Sequence, residues 1–111
     1  MSYWDPSLNS THIFVKEDLY YALITYNKDE SIYMGQISNE NFKQHGNGVL
    51  VMANGDYYLG EFENGKKIGN GKQKSDDKFY EGEFKENLLN GSGVIHRISK
   101  HSEEILYEGE L

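Results

Sequence analysis

The sequence predicts an all-β protein: an elongated, single-layer antiparallel sheet of stacked β-hairpins, preceded by a short irregular or capping N-terminal segment. A glycine–aromatic phrase carries the prediction. Tyr58-Leu59-Gly60-Glu61-Phe62 is followed by Asn64-Gly65 and then Gly69-Asn70-Gly71, and Tyr80-Glu81-Gly82-Glu83-Phe84 is followed by Asn87 and then Gly91-Ser92-Gly93. In both copies the turn residue lies at +5 from the first glycine and the Gly-x-Gly pair at +9 and +11, with Gly60 and Gly82 22 residues apart. A fixed period of this size marks an array in which each unit is one supersecondary element that gains stability by stacking. Between the glycines, Tyr, Phe, Val, Ile and Leu alternate with polar residues over short runs, the period of a strand.

The elements follow in order. Residues 1–10 hold the only proline and the only tryptophan and read as an irregular lead. Trp4 or Tyr3 is expected to fold back as a cap over the first hairpin; the sharper reading makes them an aromatic anchor for a partner. Residues 12–15 and 19–26 read as strands joined by Lys16-Glu17-Asp18. A helix over 17–26 is the competing reading, with Asp18 as its cap and Leu19, Ala22, Leu23 and Tyr26 at helical spacing. Tyr20, Tyr21, Ile24 and Thr25 are β-formers and favour the strand. The boundaries are then a lead and cap over 1–19 and a repeat array over 20–111. The array divides into a half repeat at 20–32, repeats at 33–57, 58–79 and 80–106, and a terminal strand at 107–111. In the first repeat, Tyr33-Met34-Gly35-Gln36-Ile37 leads to Gly46-Asn47-Gly48 two residues late; the extra length falls in residues 38–42, where a hairpin tip tolerates insertion.

Within a unit, Asn64-Gly65 and Asn54-Gly55 supply the left-handed backbone of a two-residue hairpin turn, and Asn87 takes the place of Gly65. Alternation sets Tyr58, Gly60 and Phe62 on one face and Leu59 and Glu61 on the other. Gly69 and Gly71 are expected to share a face and to form a floor for rings from the adjacent strand. Tyrosine hydroxyls are expected to reach water along a half-exposed groove.

The phrase Y-x-G-x-F-x-x-G-x-x-x-G-x-G resembles the membrane occupation and recognition nexus (MORN) repeat, over about residues 20–111. His45 matches the His-Gly frequent in that family, whereas Ile68 and Asn90 replace the histidine and Asn87 replaces a turn glycine. The resemblance implies rows of antiparallel hairpins in a twisted, groove-like sheet. It also implies a place in cytoskeletal assemblies such as cilia and flagella. On this reading Tyr33, Tyr58, Phe62, Tyr80, Phe84 and Tyr107 form the groove that grips a partner segment.

Charge and composition exclude other classes. The net charge of −7 is divided as −3 over residues 1–32, zero over 33–79 and −4 over 80–111. An acidic chain is a poor ligand for nucleic acid. Lys66, Lys67, Lys72, Lys74 and Lys78 form a local basic group: they read as solvated lysines guarding strands, with Lys66, Lys67, Lys72 and Lys74 as the candidate site for anionic lipid headgroups. There is no cysteine and hence no disulfide framework or thiolate metal site. The first residues lack a signal-peptide pattern and no stretch reaches the length of a membrane span, so an intracellular, cytoplasmic protein is expected. Residues 65–72 lack the glycine and the Ser/Thr of a phosphate loop. His96 and His101, five apart, do not converge if extended, and Glu61 and Glu83 read as a repeated solubility device. No catalytic residue, metal or cofactor is expected. The function expected is a non-catalytic scaffold that binds protein partners in a larger assembly, with the open sheet edges as a route to a homodimer. The alternative is a phosphoinositide- or membrane-associated adaptor.

Overall fold

The computed structural model describes residues 10–98 and 103–110. The expected cap built on Trp4 or Tyr3 lies outside the described residues. Among the described residues nine strands run in chain order as one sheet in which every strand pairs antiparallel with the next. They are β1 (Ser10–Lys16), β2 (Leu19–Thr25), β3 (Ile32–Ile37), β4 (Gln44–Val51), β5 (Tyr57–Glu63), β6 (Lys66–Ser75), β7 (Lys78–Lys85), β8 (Leu88–Ile98) and β9 (Glu103–Glu110). The molecule is elongated, 51 × 27 × 22 Å. Residues 19–25 are strand rather than helix: β2 holds Tyr20, Tyr21 and Ile24 between β1 and β3, so its β-branched and aromatic side chains pack on a pleated surface. Its partner β1 begins at Ser10, inside the stretch expected to be lead and cap, and β9 begins at Glu103, ahead of the short terminal strand expected.

Turn chemistry explains the short connections. Asn64-Gly65 joins β5 to β6 with both residues left-handed (φ 49° and 81°), and Glu86-Asn87 joins β7 to β8 in the same way (φ 50° and 71°). These are the primed turns whose twist matches that of the strands. Glu17-Asp18 repeats the pattern between β1 and β2 (φ 52° and 64°), although neither residue is a glycine or an asparagine. Asn54-Gly55 departs from the sequence expectation. It lies in the longer link between β4 and β5, where the Met52 amide donates to the Asp56 carbonyl at 2.7 Å and only Gly55 is left-handed. The Asn54 side chain accepts the Asp56 amide at 2.9 Å, so asparagine serves this turn through its side chain rather than its backbone angle. The insertion at 38–42 does fall at the β3–β4 tip, closed by the Phe42 amide on the Ser38 carbonyl at 2.9 Å.

The register reveals why glycine recurs. Ala22, Gly35, Gly48, Gly60, Gly71, Gly82, Gly93 and Gly109 are directly paired, each to the next, in one row that crosses the sheet from β2 to β9. The core lies on the face toward which this row would point its side chains. It comprises Ala22, Ile24, Tyr33, Ile37, Tyr58, Phe62, Tyr80 and Phe84, with Tyr20, Tyr26, Leu50 and Ile95 packed against it.

Candidate functional site

Each tyrosine of the repeated phrase lies over the glycine row instead of facing water. Tyr58 covers Gly71: a Cβ there would stand 2.5 Å from the ring's Cε2 and hydroxyl. Tyr33 covers Gly48 and Tyr80 covers Gly93 in the same manner. Their hydroxyls donate back to the carbonyl three residues on, Tyr33 to Gln36 at 2.5 Å, Tyr58 to Glu61 at 2.9 Å and Tyr80 to Glu83 at 2.8 Å. The expectation that these hydroxyls point to water is thereby corrected: a buried phenol takes an internal acceptor. Burial raises the pKa of Tyr33 and Tyr80 and pushes that of Tyr58 up to about 12.

The rings then link into a chain. Tyr33 meets Phe62 edge to face at 5.3 Å, Phe62 meets Tyr58 at 5.0 Å, Tyr58 meets Phe84 at 4.9 Å, and Phe84 meets Tyr80 at 5.1 Å, all within 10° of perpendicular. Phe62 and Phe84 each touch the tyrosine of their own repeat and that of the one before, which couples the repeats. Five of the six aromatic residues assigned to the groove thus come together, but as a core no more than 5% exposed. The sixth, Tyr107, pairs with Ile95 through the backbone, and its side chain lies outside the described residues.

Glu61 and Glu83, read from the sequence as solubility devices, have a structural task. The strand bearing each Gly-x-Gly carries two extra residues against its neighbour: Gly60 pairs with Gly71 and Glu61 with Ile68, which leaves Gly69 and Asn70 over. The orphaned Asn70 amide donates to Glu61 Oε2 at 3.0 Å, Ser92 donates to Glu83 Oε2 at 3.3 Å, and Asn47 donates to Gln36 Oε1 at 2.9 Å. Gly69 has φ +60°, and a Cβ on it would collide with the Glu61 carboxylate. It therefore bounds a bulge and is no floor for a ring, and only Gly71 of that pair fills the expected role. A signal was present in the sequence: Gln or Glu follows the first glycine of all three phrases.

The accessible surface is the opposite face. Leu23, Met34, Val49 and Leu59 pair in sequence across β2 to β5 and are continued by Lys72, Glu81, Val94 and Glu108. Leu23, Met34 and Leu59 are 39–51% exposed. Beside this row the backs of the glycines leave two depressions that meet at Leu59. One, of about 480 Å³, is lined by Met34, Asn47, Val49 and Leu59; the other, of about 310 Å³, by Leu59, Asn70, Lys72 and Glu81. An apolar wall over a floor free of side chains is a surface that can receive an apolar segment.

The lysines are not one patch. Lys67 lies on the core face, its Nζ 5.1 Å from the Tyr58 ring centroid and 2.7 Å from Gln73 Oε1, and burial lowers its pKa. Lys72 lies on the opposite face and pairs with Glu81 at 3.9 Å. Lys66 pairs with Glu86 at 3.8 Å and Lys74 with Asp56 at 3.5 Å. Asp56 also accepts the Asp76 amide at 2.8 Å, and that bond is the first cause of its lowered pKa, ahead of the Lys74 contact. Among the described residues no helix is long and apolar enough to cross a membrane, and no group of three or more His, Asp or Glu side chains could hold a metal ion.

Comparison with known proteins agrees with this architecture. The MORN repeat model matches residues 43–57, 58–78 and 80–99, three consecutive units that each span part of the hairpin array described above. No curated protein matches the chain. With half its residues in those three matches, each carrying the tyrosine-over-glycine hairpin or the bulge it packs on, the chain belongs to the MORN repeat family, whose repeats mediate interactions with proteins or membranes.

Proposed function

We propose that this chain is a non-catalytic scaffold that clamps a partner segment along the open face of its sheet, as a subunit of a cytoskeletal assembly such as a ciliary axoneme. One observation carries the reading. Leu23, Met34, Val49 and Leu59 form a continuous apolar row, half exposed, on the face opposite the aromatic core. Scattered exposed apolar residues are ordinary, whereas a row across four strands supports reading this face as a binding surface. The rings of Tyr33, Tyr58, Phe62, Tyr80 and Phe84 contribute as rigid backing: their contacts fix the shape of the sheet, so the partner meets a preformed wall at low entropic cost. The fit is to an extended or helical segment with one apolar side. Pairing of Lys66, Lys72 and Lys74 with carboxylates supports placing the phosphoinositide-adaptor reading second.

The test is recovery of partners on the tagged protein from its native cell at about 0.5 M salt, where electrostatic association is screened within several ångströms. A stoichiometric set of cytoskeletal proteins is expected on the wild type and is lost on Met34→Glu/Leu59→Glu, two exposed changes that leave the core intact. Equal recovery on that variant would remove the open face as the site. Recovery of no protein, together with flotation on phosphoinositide vesicles at low salt, would replace the scaffold with the membrane module.

A further inference from the structure

The two ends of the sheet are built differently. β9 pairs irregularly with β8, with a shift between Ile95 and His96, and its sequence holds Glu103, Glu104, Glu108 and Glu110. Irregular pairing and charge are how proteins guard an edge against other strands. β1 pairs with β2 in unbroken register from Ser10↔Thr25 to Lys16↔Leu19. Its middle residues Ile13, Phe14 and Val15 are 43%, 57% and 55% exposed, and its only charged residue, Lys16, stands at its end. Its outer edge carries no charge, proline or bulge where pairing would begin.

We propose that β1 is a homodimerisation edge, which a second copy of this chain extends by adding its own β1 antiparallel, with Ile13 opposite the partner's Ile13. The sequence of the strand argues for a second copy. Centred on Ile13, the pairing sets His12 against the partner's Phe14, Thr11 against the partner's Val15 and Ser10 against the partner's Lys16, so no like charges meet. Two copies of β9 would bring eight glutamates together, and pairing β9 with β1 would lay an acidic strand along an apolar one. The closed arrangement also has a use. A two-fold axis perpendicular to the sheet keeps the same face uppermost in both copies. The apolar row of Leu23, Met34, Val49 and Leu59 then continues through His12 into Phe14 and Tyr21 of the second copy, which stack at 5.4 Å within one chain. The contact is small, so the dimer is expected to be concentration-dependent.

Sedimentation of the full chain tests this. Between about 1 and 100 µM the mass is expected to rise from 12.8 kDa toward twice that value. Ile13→Lys and Ile13→Glu each oppose like charges at the two-fold axis and weaken association at least about tenfold. An equimolar mixture of the two re-forms the dimer, which also shows that both are folded. Ile105→Lys, on β9, leaves association unchanged. A wild type that stays monomeric across the range overturns the proposal, as do single variants that dimerise like the wild type or a mixture that fails to associate. Dissociation by Ile105→Lys would assign the contact to β9 and overturn it equally.

Discussion

The Asn70 amide donates to the Glu61 carboxylate at 3.0 Å, and this bond gives that amide a partner where β6 bulges by two residues against β5. The same relation joins Ser92 to Glu83 and Asn47 to Gln36. Because Gln36 serves as well as the glutamates, the acceptor matters more than the charge. Glu61→Ala is therefore expected to cost about 1 kcal/mol, the typical net loss for one hydrogen bond, here at an exposed site. Glu61→Gln is expected to cost less than about 0.5 kcal/mol. Urea denaturation of the two variants decides it; equal losses would mean that charge, not the bond, is what Glu61 supplies.

Gly71 and Tyr58 form one of the repeated tyrosine-over-glycine contacts, and substitution at either should be felt at the other. Gly71→Ala sets a methyl group 2.5 Å from ring atoms of Tyr58. The ring is held by Phe62 and Phe84 and cannot retreat, so a loss of about 1–3 kcal/mol is expected, as for overpacking. In a Tyr58→Ala background the ring is gone, and Gly71→Ala should add about 0.5 kcal/mol or less. A second step as large as the first in that cycle would show that the glycine is required for its backbone alone.

Most of the fold was legible because glycine spacing, turn asparagines and period-2 alternation all point to hairpins. Tyr58, Phe62, Tyr80 and Phe84 fall on one face by alternation, as read, and they do come together. What alternation could not supply was exposure. A row of aromatics beside glycines reads equally well as an open groove or as a core, and only the register shows each tyrosine ring lying over the glycine of the following strand. The tasks of Glu61 and Gly69 were hidden for a related reason. Alternation assumes an unbroken ladder, and the bulge shifts both residues out of it. Asn54-Gly55 resembled a two-residue turn because its side-chain bond to Asp56 favours the same residue types as a left-handed backbone does.

Alkaline pH should unfold the sheet through its tyrosines. Burial raises the pKa of Tyr33 and Tyr80 and raises that of Tyr58 from 10.0 to about 12, so the folded state favours the neutral phenols. A group whose folded pKa is raised contributes stability that is fully present below its unfolded value and is lost as pH rises through the folded one. Stability is thus expected to hold to about pH 10 and to fall between there and pH 12. Phenolate absorbance followed with circular dichroism should show Tyr33, Tyr58 and Tyr80 ionising only with loss of the fold. Ionisation of all tyrosines in one step near pH 10, with the dichroism unchanged, would contradict the buried placement of the rings.

The lysines supply the last test, because their pairing separates the two functional readings. Lys66–Glu86 and Lys72–Glu81 are exposed pairs of a kind that contributes little to stability, typically about 0–1 kcal/mol. Lys66→Glu/Lys72→Glu/Lys74→Gln should therefore remain folded, with only a modest fall in melting temperature. If the apolar wall carries binding, this triple variant should retain protein partners at about 0.5 M salt as well as the wild type does. On the scaffold reading neither protein should float on phosphoinositide vesicles at about 0.15 M salt, because a carboxylate beside each of these lysines cancels the local positive field. Flotation of the wild type, abolished in the triple variant, would show that the headgroups break the ion pairs and would make the membrane the partner. Loss of protein partners from the folded triple variant would instead place the contact at the Lys72 end of the face, next to Glu81, and away from Met34.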